Sequence, residues 1–284
     1  MRELPELPEL PAEYVLARSA HGVCARARDW LETLESAGYG PESEPAWRAS
    51  ALRGRRPLEE LETPRGTLLL RRFSHGGLLR ALTGSRFADP ARPFHELALC
   101  AALQARGIAT PVIVAARARA APLGGWFLDV LSLRVEGARD LESELEDLRA
   151  GAPRPAEFDA RLRAAGAFVR ALHEAGLYHV DLTPKNLLVH GTRFVVLDLD
   201  RSFLVEPLPV AARERNLRRL LRFVLRREQH GRRALCNTDY LRFLAGYEPG
   251  RARRAELAHA VFEAQRRSMR WHRVGWGLER LFGR

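Results

Sequence analysis

The chain has 284 residues, 46% hydrophobic and 29% charged, with a formal net charge of +11, the balance of a folded globular protein. No apolar run approaches the ~18 residues of a spanning helix, and the acidic, proline-punctuated start Met-Arg-Glu-Leu-Pro-Glu-Leu-Pro lacks the apolar core of a secretory signal. Three widely spaced cysteines, Cys24, Cys100 and Cys236, make neither a disulfide framework nor a zinc site and fit a reducing compartment.

Residues 1–13 repeat Leu-Pro-Glu and read as an extended lead-in. A helix is predicted over 27–37, stopping at Gly38, and a linker over 39–47 with its two prolines. Residues 1–45 therefore stand as an N-terminal extension of uncertain structure. Strands follow at Leu58–Glu62 and Thr67–Phe73 around the turn Thr63-Pro64-Arg65-Gly66. Ser74-His75-Gly76-Gly77 breaks that pattern. Residues 91–106 place Phe94, Leu97, Ala98, Ala101 and Ala105 on one helical face, with Gly107 as the stop. Two more strands are expected from Pro111 to Ala115 and from Trp126 to Leu133.

Beyond Gly137 the period becomes helical. Phe158, Leu162, Ala165, Phe168, Val169 and Leu172 define a helix over 157–175, closed by Gly176. A basic amphipathic helix is predicted over 211–228 and another helix over 252–270. Strands first and helices later indicate an α+β chain with a small β-rich lobe carrying one long helix, residues 46–136, and a larger, mainly helical lobe, residues 137–284.

Charge is distributed unevenly. Residues 1–200 hold 26 basic and 27 acidic side chains, and residues 201–284 hold 20 and 8. Of the 46 basic residues, 45 are arginine, and Lys185 is the lone lysine. Chemistry that ordinarily uses lysine must here use Lys185 or an arginine.

The block between the helices carries the chemistry. Tyr178-His179-Val180-Asp181-Leu182-Thr183-Pro184-Lys185-Asn186 leads into an apolar strand, a turn at His190-Gly191-Thr192-Arg193, a second apolar strand, and Asp198-Leu199-Asp200-Arg201. A hairpin would bring Asn186 and Asp198 together. A carboxylate and an amide oxygen suit Mg²⁺, a hard ion that takes oxygen ligands. Asp181 then stands where it can accept a proton from an attacking hydroxyl. So many acids beside apolar strands would be costly to bury without a metal or partners. The pattern is the catalytic-loop arrangement of protein-kinase-like phosphotransferases.

Such folds pair a basic residue on a strand with a Glu on the following helix to grip nucleotide phosphates. Arg71, in Leu68-Leu69-Leu70-Arg71, stands where the lysine usually is, and Glu96 is the only acid of the helix at 91–106. Alternation puts Arg71 and Arg72 on opposite strand faces, so one of them points at the nucleotide. Lys185, beside Asn186, is placed to reach a phosphate. His179 is expected to support the loop by hydrogen bonding. Asp200 is read as an ion-pair partner of Arg201 in preference to a ligand of a second metal.

Taken together, the chain resembles the bacterial 3-deoxy-D-manno-octulosonic acid (Kdo) kinases and related lipopolysaccharide core kinases over residues 50–247. The resemblance rests on Gly54-Arg55, on Leu70-Arg71-Arg72-Phe73 leading to Gly76-Gly77-Leu78, and on Phe94-His95-Glu96. It continues through Gly137-Ala138-Arg139-Asp140-Leu141, the Tyr178–Leu182 and Asn186–Leu188 segments, Leu197-Asp198-Leu199-Asp200-Arg201 and Asn216-Leu217-Arg218-Arg219-Leu220. Arg56, and Thr183-Pro184-Lys185 before Asn186, depart from the usual family pattern.

The resemblance implies a protein-kinase-like two-lobed fold and ATP-dependent transfer to a hydroxyl of a Kdo (or core heptose) sugar on a lipid A precursor. It implies Asp181 as base, Asn186 and Asp198 on Mg²⁺, and Arg71 with Glu96 at the nucleotide. It further implies a cytoplasmic protein, peripheral on the cytoplasmic face of the bacterial inner membrane. The basic C-terminal region favours an anionic glycolipid acceptor and an anionic membrane surface. Without aromatic stacking repeats or a recognisable motif in that region, no nucleic acid is expected. A kinase of another acceptor, protein or small molecule, and a non-catalytic nucleotide-binding pseudokinase stay open on the sequence.

Overall fold

The structure, a computed structural model, describes residues 7–53, 57–74, 85–228 and 233–263. The Gly54-Arg55 step and the His75-Gly76-Gly77-Leu78 element lie outside these residues. So does the end of the helix predicted over 252–270, of which 251–263 are helical. The chain divides into two compact units. The first is Met1–Glu136 with Leu199–Arg201, and the second is Gly137–Asp198 with Ser202–Arg284.

The first unit is built on a seven-stranded antiparallel sheet. Its strands are β1 (Tyr14–Arg18), β2 (Gly22–Ala27), β3 (Arg48–Arg53), β4 (Pro57–Thr63), β5 (Gly66–Arg72), β6 (Ile113–Ala120) and β7 (Trp126–Leu133). They are ordered β1-β2-β6-β7-β5-β4-β3. The strands expected around the 63–66 turn and after Gly107 are present. β1, β2 and β3 had no counterpart in the sequence reading. Helix α2 (Arg92–Ala105) packs on β6 and β7 and buries Phe94, Leu97, Cys100 and Leu103. On the opposite face Trp30, Leu34 and Tyr39 pack with Leu68, Leu70 and Leu131. Trp30 belongs to a 3₁₀ turn, Arg28–Trp30, and Leu34 to α1 (Leu31–Ser36), so the helix predicted over 27–37 is shorter.

The segment predicted as a linker at 39–47 is irregular, yet it is strapped to the sheet. Arg117, fully buried on β6, donates from Nη1 to the carbonyls of Gly40 (2.9 Å) and Ser43 (2.7 Å). It also meets its cross-strand neighbour Asp129 on β7, which is 1% exposed. The Tyr39 hydroxyl donates to the same carboxylate at 2.7 Å. Burial works against ionising Glu44, but guanidinium groups of Arg72, Arg117 and Arg119 overcome it and hold the carboxyl down to about 2. A buried charge is tolerable when every hydrogen-bonding position is met this way.

The second unit is mainly helical, with α3 (Leu141–Ala150), α4 (Phe158–Glu174), α5 (Val210–Glu228) and α6 (Asn237–Tyr247). Asp140 caps α3, its Oδ1 accepting from the Ser143 N–H at 2.9 Å. Leu145, Phe158, Leu162 and Val224 join α3, α4 and α5 in one core. Short strands β10 (Leu187–His190) and β11 (Arg193–Val196) form the expected hairpin, with β8 (Arg139–Asp140) alongside β10. A second ribbon pairs β9 (Leu177–Tyr178) with β12 (Phe203–Leu204). Among the described residues no helix is long and apolar enough to cross a membrane.

Candidate active site

In the first unit, β5 presents Arg71 and Arg72 to opposite faces. Arg71 is ion-paired with Glu96 of α2, whose side chain is 6% exposed, and its guanidinium lies 4.6 Å from the centre of the Phe73 ring. Arg72 turns to Glu59 (2.7 Å) and Glu44 (2.9 Å) on the other face. The pairing follows from the alternation of a strand and from the single acid of α2. Asp200 pairs with Arg92 at the start of α2, which corrects the expectation that its partner is Arg201. Arg201 is exposed and left-handed, with φ 62°. Arg92 is held over the Phe87 and Phe73 rings.

In the second unit, the segment from β9 to β11 carries His179, Asp181, Lys185, Asn186 and Asp198. The register Leu187↔Val196 continues into a bond from the Leu197 N–H to the Asn186 carbonyl at 2.9 Å. The hairpin therefore sets Asn186 beside the residue that precedes Asp198. Asp198 has φ 55°, a left-handed conformation that costs energy in a non-glycine residue and concentrates at functional positions.

His179 locks the loop. It is 1% exposed, its Nδ1 accepts from the Asp181 N–H at 3.1 Å, and its Nε2 lies 2.9 Å from the Leu197 carbonyl. Nδ1 as acceptor leaves the proton on Nε2, so the ring is the neutral tautomer that donates to Leu197. Burial pushes its pKa below the usual imidazole value, against the Leu197 bond and the nearby carboxylates. One neutral ring thus ties the residue expected as base to the strand end that leads to Asp198.

A second tier holds His179. Asn216 of α5 donates from Nδ2 to the His179 carbonyl (2.8 Å), and its Oδ1 accepts from the His179 N–H (3.2 Å). The same oxygen lies 3.3 Å from His173 Nε2, while His173 Nδ1 meets the Tyr247 hydroxyl at 2.8 Å. The chain Tyr247–His173–Asn216–His179 thus fastens α6, α4 and α5 to the loop.

The Asn186 amide group donates to the Asp181 carbonyl at 2.8 Å, which leaves its Oδ1 as a ligand oxygen. That oxygen and the Asp198 carboxylate fit Mg²⁺, which is bound by one or two carboxylates together with substrate phosphates and water. Among the described residues no cluster of three or more His, Cys, Asp and Glu forms a separate metal cage. Lys185 is exposed, its Nζ 5.9 Å from the centre of the Phe223 ring. Glu142 of α3, 1% exposed, lies in its field and pairs with Arg149 at 3.0 Å. Its Oε2 has no hydrogen-bond partner among the described residues, and burial raises its pKa.

Two partnerships escaped the sequence reading. Arg219 of α5 donates from Nε (2.9 Å) and Nη2 (2.5 Å) to Asp181 Oδ1. Arg92 holds Asp200 as described. Both pairs join residues far apart in the chain, and motif spacing carries no signal for them.

Comparison with known proteins places this chain in a family. A family model described as the lipopolysaccharide kinase (Kdo/WaaP) family matches residues 46–247. A 3-deoxy-D-manno-octulosonic acid kinase of Stenotrophomonas maltophilia (strain K279a) is 31% identical over 253 residues, covering 81% of this chain and 92% of that one. One of the same name from Xanthomonas axonopodis pv. citri (strain 306) is 29% identical, covering 80% and 90%. Among solved structures, WaaP in complex with acyl carrier protein superposes with a TM-score of 0.54 at 21% identity, covering 84% of this chain and 95% of that one. The fold is protein-kinase-like.

Proposed function

The chain belongs to the lipopolysaccharide kinase (Kdo/WaaP) family, and from that premise we propose that it transfers the terminal phosphoryl group of ATP to a hydroxyl of a Kdo sugar on a lipid A precursor. The observation that carries this reading is the His179 clamp. It joins Asp181 to the end of the hairpin where Asn186 and Asp198 stand.

The roles follow from the chemistry of each group. Asp181 accepts the hydrogen bond of the acceptor hydroxyl and takes its proton as the oxygen attacks phosphorus. Asn186 Oδ1 and the Asp198 carboxylate hold Mg²⁺. When bound, the ion neutralises charge on the phosphates. Arg71, kept in place by Glu96, offers a guanidinium to nucleotide phosphates, a cation that never deprotonates and binds oxygens in pairs. Lys185 supplies a second cation toward the transferred group. His179, neutral and buried, moves no proton and fixes the loop. We place the reaction at an anionic membrane surface on the cytoplasmic side, where lipid A precursors present their sugars. The support for this placement is the basic excess after residue 200.

The test is incubation with Mg-ATP and a Kdo-bearing lipid A precursor, read by mass spectrometry. A gain of one phosphate on the glycolipid is expected. Phosphate appearing only on protein or another small molecule would overturn the acceptor. Asp181→Asn should cut turnover by about 10²–10⁴-fold while a fluorescent ATP analogue still binds. Asp198→Asn should lose turnover and Mg-dependent nucleotide binding together. Equal loss of binding in both variants contradicts the division of roles.

A further inference from the structure

The α5 arginine that holds Asp181 is one of a row. Arg215, Arg219, Arg222 and Arg226 follow at intervals of four, three and four, which puts them on one stripe of a helix. The opposite stripe, Leu217, Leu220, Leu221 and Val224, is buried in the unit's core. The row therefore faces outward for a structural reason.

It also begins at the catalytic loop. Arg215 lies 5.8 Å from the centre of the Tyr178 ring, and Arg219 grips Asp181. Arg222 and Arg226 are exposed and meet no carboxylate among the described residues. Arg219 is 40% exposed and spends two N–H groups on Asp181. A guanidinium carries five N–H donors. The other three of Arg219 meet no acceptor among the described residues.

A cation with two of its five donors on the expected base and three unspent is built to bridge that base to a second anion. We propose that Arg219 binds an anionic group of the acceptor, a carboxylate or phosphate, and so sets the reacting hydroxyl beside Asp181. Arg222 and Arg226 continue the track. Helix rise places them ~4.5 Å and ~10.5 Å beyond Arg219 along the axis. The acceptor class this selects is a glycan head with two or more anionic groups within about 10 Å of each other. A neutral sugar leaves the track unpaired. The inference rests on the kinase reading and deepens it, because it names the charge pattern that the site recognises. A track that starts on the base serves the molecule being phosphorylated. A track serving the lipid surface would have no reason to grip Asp181.

The experiment uses the full chain and the de-acylated, phosphorylated, Kdo-bearing headgroup, so that no membrane is present. Calorimetric titration compares wild type with Arg219→Ala, Arg219→Lys and the double variant Arg222→Ala/Arg226→Ala. Losing a charge-assisted contact should weaken headgroup binding about ten- to hundredfold in Arg219→Ala. The double variant should weaken it as well, and its exposed, unpaired positions leave the fold intact. Arg219→Lys should recover part of the affinity, since charge is kept and the fork is lost. In turnover, the double variant should raise the acceptor KM more than it lowers kcat. Arg219→Ala should change both, because it also positions Asp181. ATP-analogue binding should hold in all three.

Headgroup affinity equal to wild type in Arg219→Ala overturns the proposal. So does a double variant that loses only binding to phosphatidylglycerol vesicles, which would assign the outer arginines to the membrane. A headgroup that binds with the expected variant pattern but gains no phosphate keeps the track and removes the kinase reading. A headgroup phosphorylated with unaltered KM in every variant does the reverse.

Discussion

His179 can hold the Asp181 loop only while its ring is uncharged, because Nδ1 must stay an acceptor for the Asp181 N–H. His173, one step behind it, is kept uncharged for a different reason, its burial. Burial lowers its pKa to about 4, against the Asn216 bond that favours the charged form. The unfolded chain takes up that proton near 6.5 and the folded chain only near 4. Stability from this group is therefore complete above 6.5 and is lost as pH falls from 6.5 toward 4. Between pH 7 and 5 its share is about 2 kcal/mol. Glu44 and Asp239, both held near 2, begin to titrate only below their ordinary values of 4.5 and 3.8. The window between pH 6.5 and 5 thus belongs to the imidazoles. Urea unfolding at pH 7 and pH 5 should show that His173→Gln is less sensitive to acid than wild type. An identical pH slope in the variant would contradict this account.

At the scale of elements, two features decide geometry. The first is the alternation of β5, which sends Arg71 to Glu96 and Arg72 to Glu44 and Glu59. Arg71→Ala should raise the ATP KM or depress kcat strongly, and Arg71→Lys should restore part of it. Arg72→Ala should act mainly on stability, by up to about 1 kcal/mol for partly exposed pairs. Steady-state kinetics on the three variants decides it, and a more damaging Arg72→Ala would reverse the strand's faces. The second feature is the close crossing of α4 and α6. A Cβ on Gly166 would lie 1.9 Å from the Phe243 carbonyl oxygen, and one on Gly246 would lie 1.9 Å from that of Arg163. Alanine favours helix by about 1 kcal/mol over glycine, yet here the helices must separate. Overpacking of this kind costs about 1–3 kcal/mol or more. Both Gly→Ala variants should unfold at lower temperature, and the double variant by less than the sum, since one displacement relieves both clashes. A stabilised variant would show that the crossing is looser than the structure has it.

At the scale of the whole molecule, the basic excess sits almost entirely after residue 200. Besides the α5 arginines placed above on the acceptor, the described residues carry Arg233, Arg242, Arg251, Arg253 and Arg254, and residues 264–284 add six more arginines, with one glutamate. Each basic residue at an anionic surface contributes about 1 kcal/mol, within a Debye length of ~8 Å at physiological salt. The full chain should sediment with phosphatidylglycerol liposomes at low salt and be released at high salt. Equal binding to neutral liposomes, or indifference to salt, would remove electrostatic docking and leave the kinase chemistry in place.

The amino-acid sequence by itself determined the catalytic block, its hairpin, the long helices and the order of strands before helices. These are local signals: a period of 3.6 or 2, a turn residue, a spacing of five between Asp181 and Asn186. It did not disclose β2, because Gly22-Val-Cys-Ala-Arg-Ala is buried on both faces and shows no alternation. Nor did it disclose that residues 39–47 are pinned by Arg117, whose partners come from two other segments. Which arginine meets which acid was equally hidden in a chain with 45 arginines. Ion pairs such as Arg219–Asp181 and Arg92–Asp200 join residues 38 and 108 positions apart. Charge alone cannot select among so many equivalent cations. Only the packing of helix on loop, which sets one guanidinium within hydrogen-bond reach and leaves the next in solvent, makes that choice.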